Sequence, residues 1–387
     1  MIKDNLLLKN NIQSKYLKDN FSKKLSKKFK KIFLEINNDI KSQKKTLNVL
    51  SDKFHLNFKI KDLKKFKKFQ TIALIGMGGS ILGAEAIYGF LKQKIKKKIY
   101  FFNNLDESKI SDFRKKENSS KVLFIIISKS GNTIETLSNS FTLNIIKKNS
   151  QNVILISERK NNSLYDLSKK FNLYYVEHKD YIGGRFSVLS EVGIIPAYLM
   201  GINIFKLRSR ILDYSKSRNQ TFLKDSTIKL ANLMKSKKFD NLIFLNYAPE
   251  LEKFLFWCQQ LIAESLGKKN KGFLPVISNA PKDHHSLLQL YLDGPKNKIF
   301  NIVSLEKESK EKINLKKTVN SNNFLDQKTL SSVKMAQKKA LIKALIQKNI
   351  PFREFKIKKI NEVILGKLFS YFILETVIIG KILNINP

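Results

Sequence analysis

The sequence predicts an α/β fold of two doubly wound parallel sheets, each in three αβα layers, with a helical N-terminal arm and a C-terminal helix. Three observations carry this expectation. From Thr71 the apolar runs TIALIG, KKIYFF, KVLFIII and NVILIS alternate with helix-like segments near residues 80–91, 133–148 and 190–203. Continuous Val/Ile/Leu strands separated by helices belong to a parallel sheet covered on both faces. After a polar, basic stretch, SRNQTFLKDSTIKLANLMKSKKFD, the alternation restarts with NLIFLN, a helix through Glu264, FLPVIS, KIFNIVSL, a long helix near 327–348 and IPFREFKI. A chain of 387 residues with 42% hydrophobic content can bury more than one core.

Taken in order, residues 1–65 read as a basic helical arm. Phe21, Leu25, Phe29, Ile32, Phe33 and Ile36 fall at helical spacing with lysines between them. A helix lying on a membrane surface has this pattern. So does an arm that docks its apolar stripe on the core and keeps its lysines wet, which is the expectation here. Residues 66–215 form the first α/β domain and residues 216–387 the second. The last segment, Glu362 to Leu383, is apolar enough to suggest a membrane span. Lys367, Glu375 and Lys381 interrupt it, and charge near a bilayer centre is costly. A terminal helix packed on the protein is expected, with no membrane partner.

Composition narrows the function. Lys+Arg 73 against Asp+Glu 32 leaves a net charge of +41, a field that favours anionic partners. The lysines are spread along the whole chain, and no helix-turn-helix, zinc-finger or RNP pattern occurs, so no specific nucleic-acid partner is expected. One cysteine, Cys258, permits no intramolecular disulfide, and with four His it offers no zinc spacing. The N-terminus lacks the apolar core and cleavage site of a signal peptide. A cytoplasmic protein without a zinc site is the expectation.

The chemistry gathers at strand ends. The run VLFIII stops at Ile127 and is followed by SKSGNTIET, which brings Ser128, Lys129, Ser130 and Thr133 to a strand end where a helix begins. Hydroxyls, free helix N–H groups and a lysine make a phosphate cradle, and Gly131 admits the anion to the backbone. The alternative is an ordinary N-cap, in which Asn132 and Glu135 supply a capping box. A second turn, GMGGSILG, places Gly79 and Ser80 at the neighbouring strand end. It fits a dinucleotide fingerprint poorly, because the third glycine would fall at Ile81, and no cofactor is expected.

Five motifs, GMGGSILG, SKSGNTIET, GGRFSVLSEVG, QQLIAESLGKK and DHHSLLQLYLDGP, occur in an order and spacing that resemble the glucose-6-phosphate isomerase family over about residues 70–387. The resemblance implies two sugar isomerase domains and reversible conversion of glucose 6-phosphate and fructose 6-phosphate in glycolysis and gluconeogenesis. It implies that Ser128, Lys129, Ser130 and Thr133 hold the phosphate with Gly79 and Ser80 nearby, and that Glu264 is the base. Burial of that carboxylate would raise its pKa into a useful range. Arg185 would stabilise the enediolate, and His285, from the neighbouring subunit of a homodimer, would handle the ring oxygen. His284 leaves a register ambiguity, since this family commonly has Gln there. The family also continues past the equivalent of Pro387 with a glutamine and then a lysine that assists ring opening, so either the sequence is an incomplete copy of an active enzyme or it is a shortened protein in which turnover of cyclic substrate is expected to suffer most. A sugar-phosphate-binding protein, or an isomerase of another phosphosugar, is the alternative.

Overall fold

The computed structural model describes residues 6–215, 220–306, 309–315 and 324–387. Its strands are β1 (Leu6–Asn10), β2 (Thr71–Ile75), β3 (Lys98–Phe102), β4 (Val122–Ile127), β5 (Val153–Ser157), β6 (Tyr174–Glu177), β7 (Asn241–Asn246), β8 (Leu274–Asn279), β9 (Lys298–Leu305) and β10 (Phe352–Ile357). They form two five-stranded sheets, ordered β3-β2-β4-β5-β6 and β1-β10-β9-β7-β8.

The first sheet is parallel throughout. Every residue of β4 is buried, which explains why VLFIII shows no alternation: with helices on both faces, neither side of the strand meets water. From β2 the chain passes outward to β3 and then back across to β4, so the direction of winding reverses between β2 and β4. At such a reversal the connections leave in opposite directions and open a crevice at the carboxyl ends of the strands, where doubly wound sheets hold ligands. In the second sheet β7 and β9 stand in the same relation.

Three elements differ from the sequence expectation. The N-terminal arm begins as a strand, with β1 antiparallel to β10 from Leu6↔Ile357 to Asn10↔Arg353. This strand covers the edge that β10 would otherwise expose, a tertiary requirement that five residues do not advertise. Strand β6, only four residues long, extends the other sheet at its margin. The polar stretch between the domains contains a helix, Gln220–Ser236, whose Leu223, Leu230, Leu233 and Met234 are buried among polar neighbours that hide its apolar face in the sequence.

The helix Asp19–Lys41 does dock as a stripe: Leu25, Phe29, Ile32, Phe33, Ile36 and Ile40 are buried, and Lys23, Lys24, Lys27, Lys30 and Lys31 are exposed. It packs against the C-terminal helix, Glu362–Ile382, which is long and apolar enough to cross a bilayer but lies buried inside the protein. The three charges that argued against a membrane span all have partners. Glu375 accepts from Arg353 at 2.5 Å and from the Tyr371 hydroxyl at 2.7 Å, Lys367 lies 3.5 Å from Asp213, and Lys381 lies 3.3 Å from Glu35. The helices Leu82–Leu91 and Glu252–Leu266 pack together across the two sheets, and one apolar cluster runs through both. That contact sets the strand-end loops of the first sheet against the helix that carries Glu264.

Candidate active site

The cradle forms where β4 ends. The Ser128 hydroxyl lies 2.8 Å from that of Thr133 and 3.5 Å from that of Ser130, and Ser130 lies 3.5 Å from Thr133, so three hydroxyls close a triangle. The helix Ile134–Thr142 starts beside them with Thr133 as its N-cap, and Thr133 makes no capping bond from its side chain. The capping box does not form: Asn132 instead accepts from the Ser163 backbone at 2.8 Å. Uncapped N–H groups and converged hydroxyls are the arrangement that accommodates an anion. Gly131 is required here, since its φ is +71° and an added Cβ would fall 1.7 Å from Asn162 Oδ1.

Lys129 does not complete this cradle. Its Nζ donates to the Asp180 carbonyl at 2.8 Å and lies 3.5 Å from Glu158, so its charge is compensated by partners other than the hydroxyl triangle.

The neighbouring turn after β2 abuts the cradle. At Gly76 an added Cβ would lie 2.9 Å from the Ile127 carbonyl and 3.2 Å from Ser80 Cβ, which puts Ser80 beside the end of β4. Gly79 meets a third loop: its added Cβ would be 2.3 Å from the Gly184 carbonyl carbon and 2.7 Å from the Arg185 nitrogen. Backbone therefore touches backbone, and this contact aims Arg185.

From that position Arg185 reaches across to the second domain. Its Nη1 donates to Glu264 Oε1 at 2.5 Å and its Nε to Ser265 Oγ at 2.7 Å, and its side chain is largely buried. Gln260, one helical turn before Glu264, donates to Oε2 at 3.2 Å. Its own Oε1 is buried and has no hydrogen-bond partner among the described residues. Gln260 and Ser265 went unselected in the sequence although both lie within QQLIAESLGKK; the i, i+4 spacing of Gln260 and Glu264 on one helix was the available signal. The Glu264 side chain is 51% exposed, so the burial expected of it is not supplied within this protomer.

The two histidines separate clearly. His284 opens the helix His284–Leu292 and its Nε2 lies 2.8 Å from the hydroxyl of Tyr247, which is fully buried. Burial, then the adjacent His285, hold the His284 imidazole below its ordinary range. Burial pushes the Tyr247 phenol up, so a protonated phenol faces a neutral ring. His285 is exposed and, among the described residues, makes no hydrogen bond or ion pair with Arg185 or Glu264. Among the described residues no group of three or more His, Cys, Asp or Glu could hold a metal ion.

Comparison with known proteins points one way. Residues 35–387 match the family described as phosphoglucose isomerase. A protein of Methanococcus maripaludis named probable glucose-6-phosphate isomerase is 33% identical over 354 residues, covering 88% of this chain and 79% of its own length. A glucose-6-phosphate isomerase of Methanocaldococcus jannaschii is 32% identical, covering 84% and 82%. Among solved structures, a hypothetical protein of Thermus thermophilus shares the fold with a TM-score of 0.83 at 21% identity, over 98% of this chain and 95% of that one. The glucose-6-phosphate isomerase of Chlamydia trachomatis aligns with a TM-score of 0.70 at 19% identity, over 84% and 67%.

Proposed function

The chain belongs to the phosphoglucose isomerase family, and on that premise we propose that the cleft between its two sheets interconverts glucose 6-phosphate and fructose 6-phosphate through an enediolate. The observation that carries this reading is the Arg185–Glu264 pair, formed across the domains and linked to the end of β4 by the close approaches of Gly79 to Gly184 and of Gly76 to Ile127. An aldose–ketose conversion moves one proton between adjacent carbons, and it needs a carboxylate base, a fixed cation for the developing oxyanion and an anchor for the phosphate.

In this mechanism the substrate phosphate sits on Ser128, Ser130 and Thr133 and on the N–H groups of the following helix, with Ser80 at its flank. Glu264 removes the proton from one carbon and returns it to the other. Gln260 and Arg185 each hold one carboxylate oxygen, which fixes the direction of its lone pairs. As charge builds on the substrate oxygens, Arg185 shares its guanidinium between them and Glu264. A fixed donor of this kind is worth about 2.7–4 kcal/mol in the transition state.

His285 acts on the ring oxygen in a neighbouring copy, and the working form is a homodimer in the cytoplasm. Its exposure and its lack of a hydrogen-bond partner for the ring among the described residues support this assignment over His284, which is anchored to Tyr247. We take residues 66–215 and 216–387 as the two catalytic domains, and residues 1–65 as the arm that joins the second.

The test is proton NMR of fructose 6-phosphate with the 387-residue chain in deuterated water, beside Glu264→Gln. Glucose 6-phosphate with deuterium at C2, lost in the variant, is expected. No exchange from folded protein would refute the proposal.

A further inference from the structure

The helix that carries Glu264 ends at Leu266 and runs straight into the loop 267–272. All three lysines of that loop turn onto the last residues of the chain. Lys268 Nζ donates to the Asn386 carbonyl at 2.7 Å, Lys271 Nζ to the Leu383 carbonyl at 2.9 Å and Lys269 Nζ to the Asn384 carbonyl at 3.3 Å. These acceptors lie just beyond Ile382, the last residue of the C-terminal helix, whose end carries partial negative charge and unpaired carbonyls. In a chain of net charge +41, three ammonium groups gather on so short a segment only where something compensates them.

The acceptor segment is itself held. Lys28 of the N-terminal arm donates to Asn384 Oδ1 at 3.3 Å, and Lys381 pairs with Glu35 at 3.3 Å. The C-terminal helix behind it is buried in the core. The loop, by contrast, holds one position against local preference: Lys269 has φ 55°, in the left-handed region that a long side chain disfavours. Glu264 sits in the last turn of its helix, where carbonyls lack intrahelical partners and fraying is easiest.

We infer that the contacts of Lys268, Lys269 and Lys271 with the carbonyls of Leu383, Asn384 and Asn386 form a clamp that positions Glu264. The inference rests on the reading of Glu264 as the base. The lysines are positioning residues: they fix the helix end to a rigid body, and Arg185 and Gln260 then meet the carboxylate at set distances. The phosphate cradle belongs to a different turn, so the clamp governs proton transfer and leaves substrate capture alone.

Two variants approach the clamp from opposite sides. Lys268→Gln/Lys269→Gln/Lys271→Gln removes the donors, and deletion of residues 384–387 removes two acceptors without touching a lysine. For each, kcat, KM for fructose 6-phosphate, deuterium incorporation at C2 and Tm are measured in the full chain. Both are expected to lower kcat about tenfold, part of the hundredfold that a 1 Å misplacement costs, with KM within about twofold. Replacing the same three lysines by arginine should restore kcat, because guanidinium donors reach the same carbonyls.

Unchanged kcat in either folded variant would overturn the inference, as would a fall in Tm alone, a rise in KM in place of the fall in kcat, or an arginine triple as impaired as the glutamine triple. Glu264→Gln run alongside separates the two claims. If it is inactive while the clamp variants are fully active, the clamp fails and the reading of the site stands. If it keeps activity, the assignment of the base fails and the clamp falls with it.

Discussion

Replacing Gly79 by alanine tests the geometry that joins the two domains. The new Cβ would lie 2.3 Å from the Gly184 carbonyl carbon, 2.4 Å from its oxygen and 2.7 Å from the Arg185 nitrogen, where ordinary contact begins near 3.4 Å. All three neighbours are backbone atoms, so no rotamer change relieves the clash and the turns must separate by about 1 Å. That displacement carries Arg185 with it, and the 2.5 Å and 2.7 Å bonds to Glu264 and Ser265 are lost or lengthened. A 1 Å error in a reacting geometry costs roughly 10²-fold in rate, and forcing a methyl into a packed site costs about 1–3 kcal/mol. Gly184→Ala is the control, because a Cβ there meets only Gly79 Cα, at 3.9 Å. Steady-state turnover of fructose 6-phosphate and a thermal melt on both variants are the assay. Gly79→Ala should lose about 10²-fold in kcat, and Gly184→Ala less than about threefold. Equal losses, or a Gly79→Ala variant with native kcat, would refute the claim that this contact aims Arg185.

Removing two corners of the hydroxyl triangle, Ser128→Ala with Thr133→Val, should weaken binding of the phosphorylated substrate by on the order of tenfold, about one hydrogen bond's worth, as read from KM or by calorimetry. His284 is held in its neutral form, so the folded state binds fewer protons than the unfolded state once pH falls below the free imidazole's 6.5, and stability must drop there. Denaturant midpoints taken from pH 8 to pH 5 should show this drop, and His284→Gln should flatten it; His285→Gln should instead lower turnover of cyclic substrate by at least about 10²-fold. Arg353→Met leaves Glu375 buried without its cation and should cost about 3–5 kcal/mol in denaturant unfolding, more than the double variant with Glu375→Leu.

The sequence by itself determined the elements whose signal is local. Strand β4 is legible because burial on both faces writes an unbroken apolar run, and the Asp19–Lys41 helix because one buried face writes a helical period. The convergence of Ser128, Ser130 and Thr133 at a strand end was legible from residue types, whereas Arg185 and Glu264 stood out only through the motifs that resemble the family. The tertiary structure alone decided what depends on distant neighbours. Strand β1 exists to cover an edge formed some 340 residues later, and β6 is too short to carry a period of its own. The Gly79–Gly184 contact and the Arg185–Glu264 pair join segments far apart in the chain, which composition cannot align. The Lys129 ammonium meets the Asp180 carbonyl and Glu158, because a long, flexible side chain takes the nearest acceptors the fold presents. His284 and His285 are adjacent, and the motif that resembles the family favours His285. Tyr247, 37 residues upstream and buried, holds the half-buried His284, while His285 lies at the surface. Periodicity encodes which face is buried, whereas the partner waiting on that face is set by the packing of the whole chain.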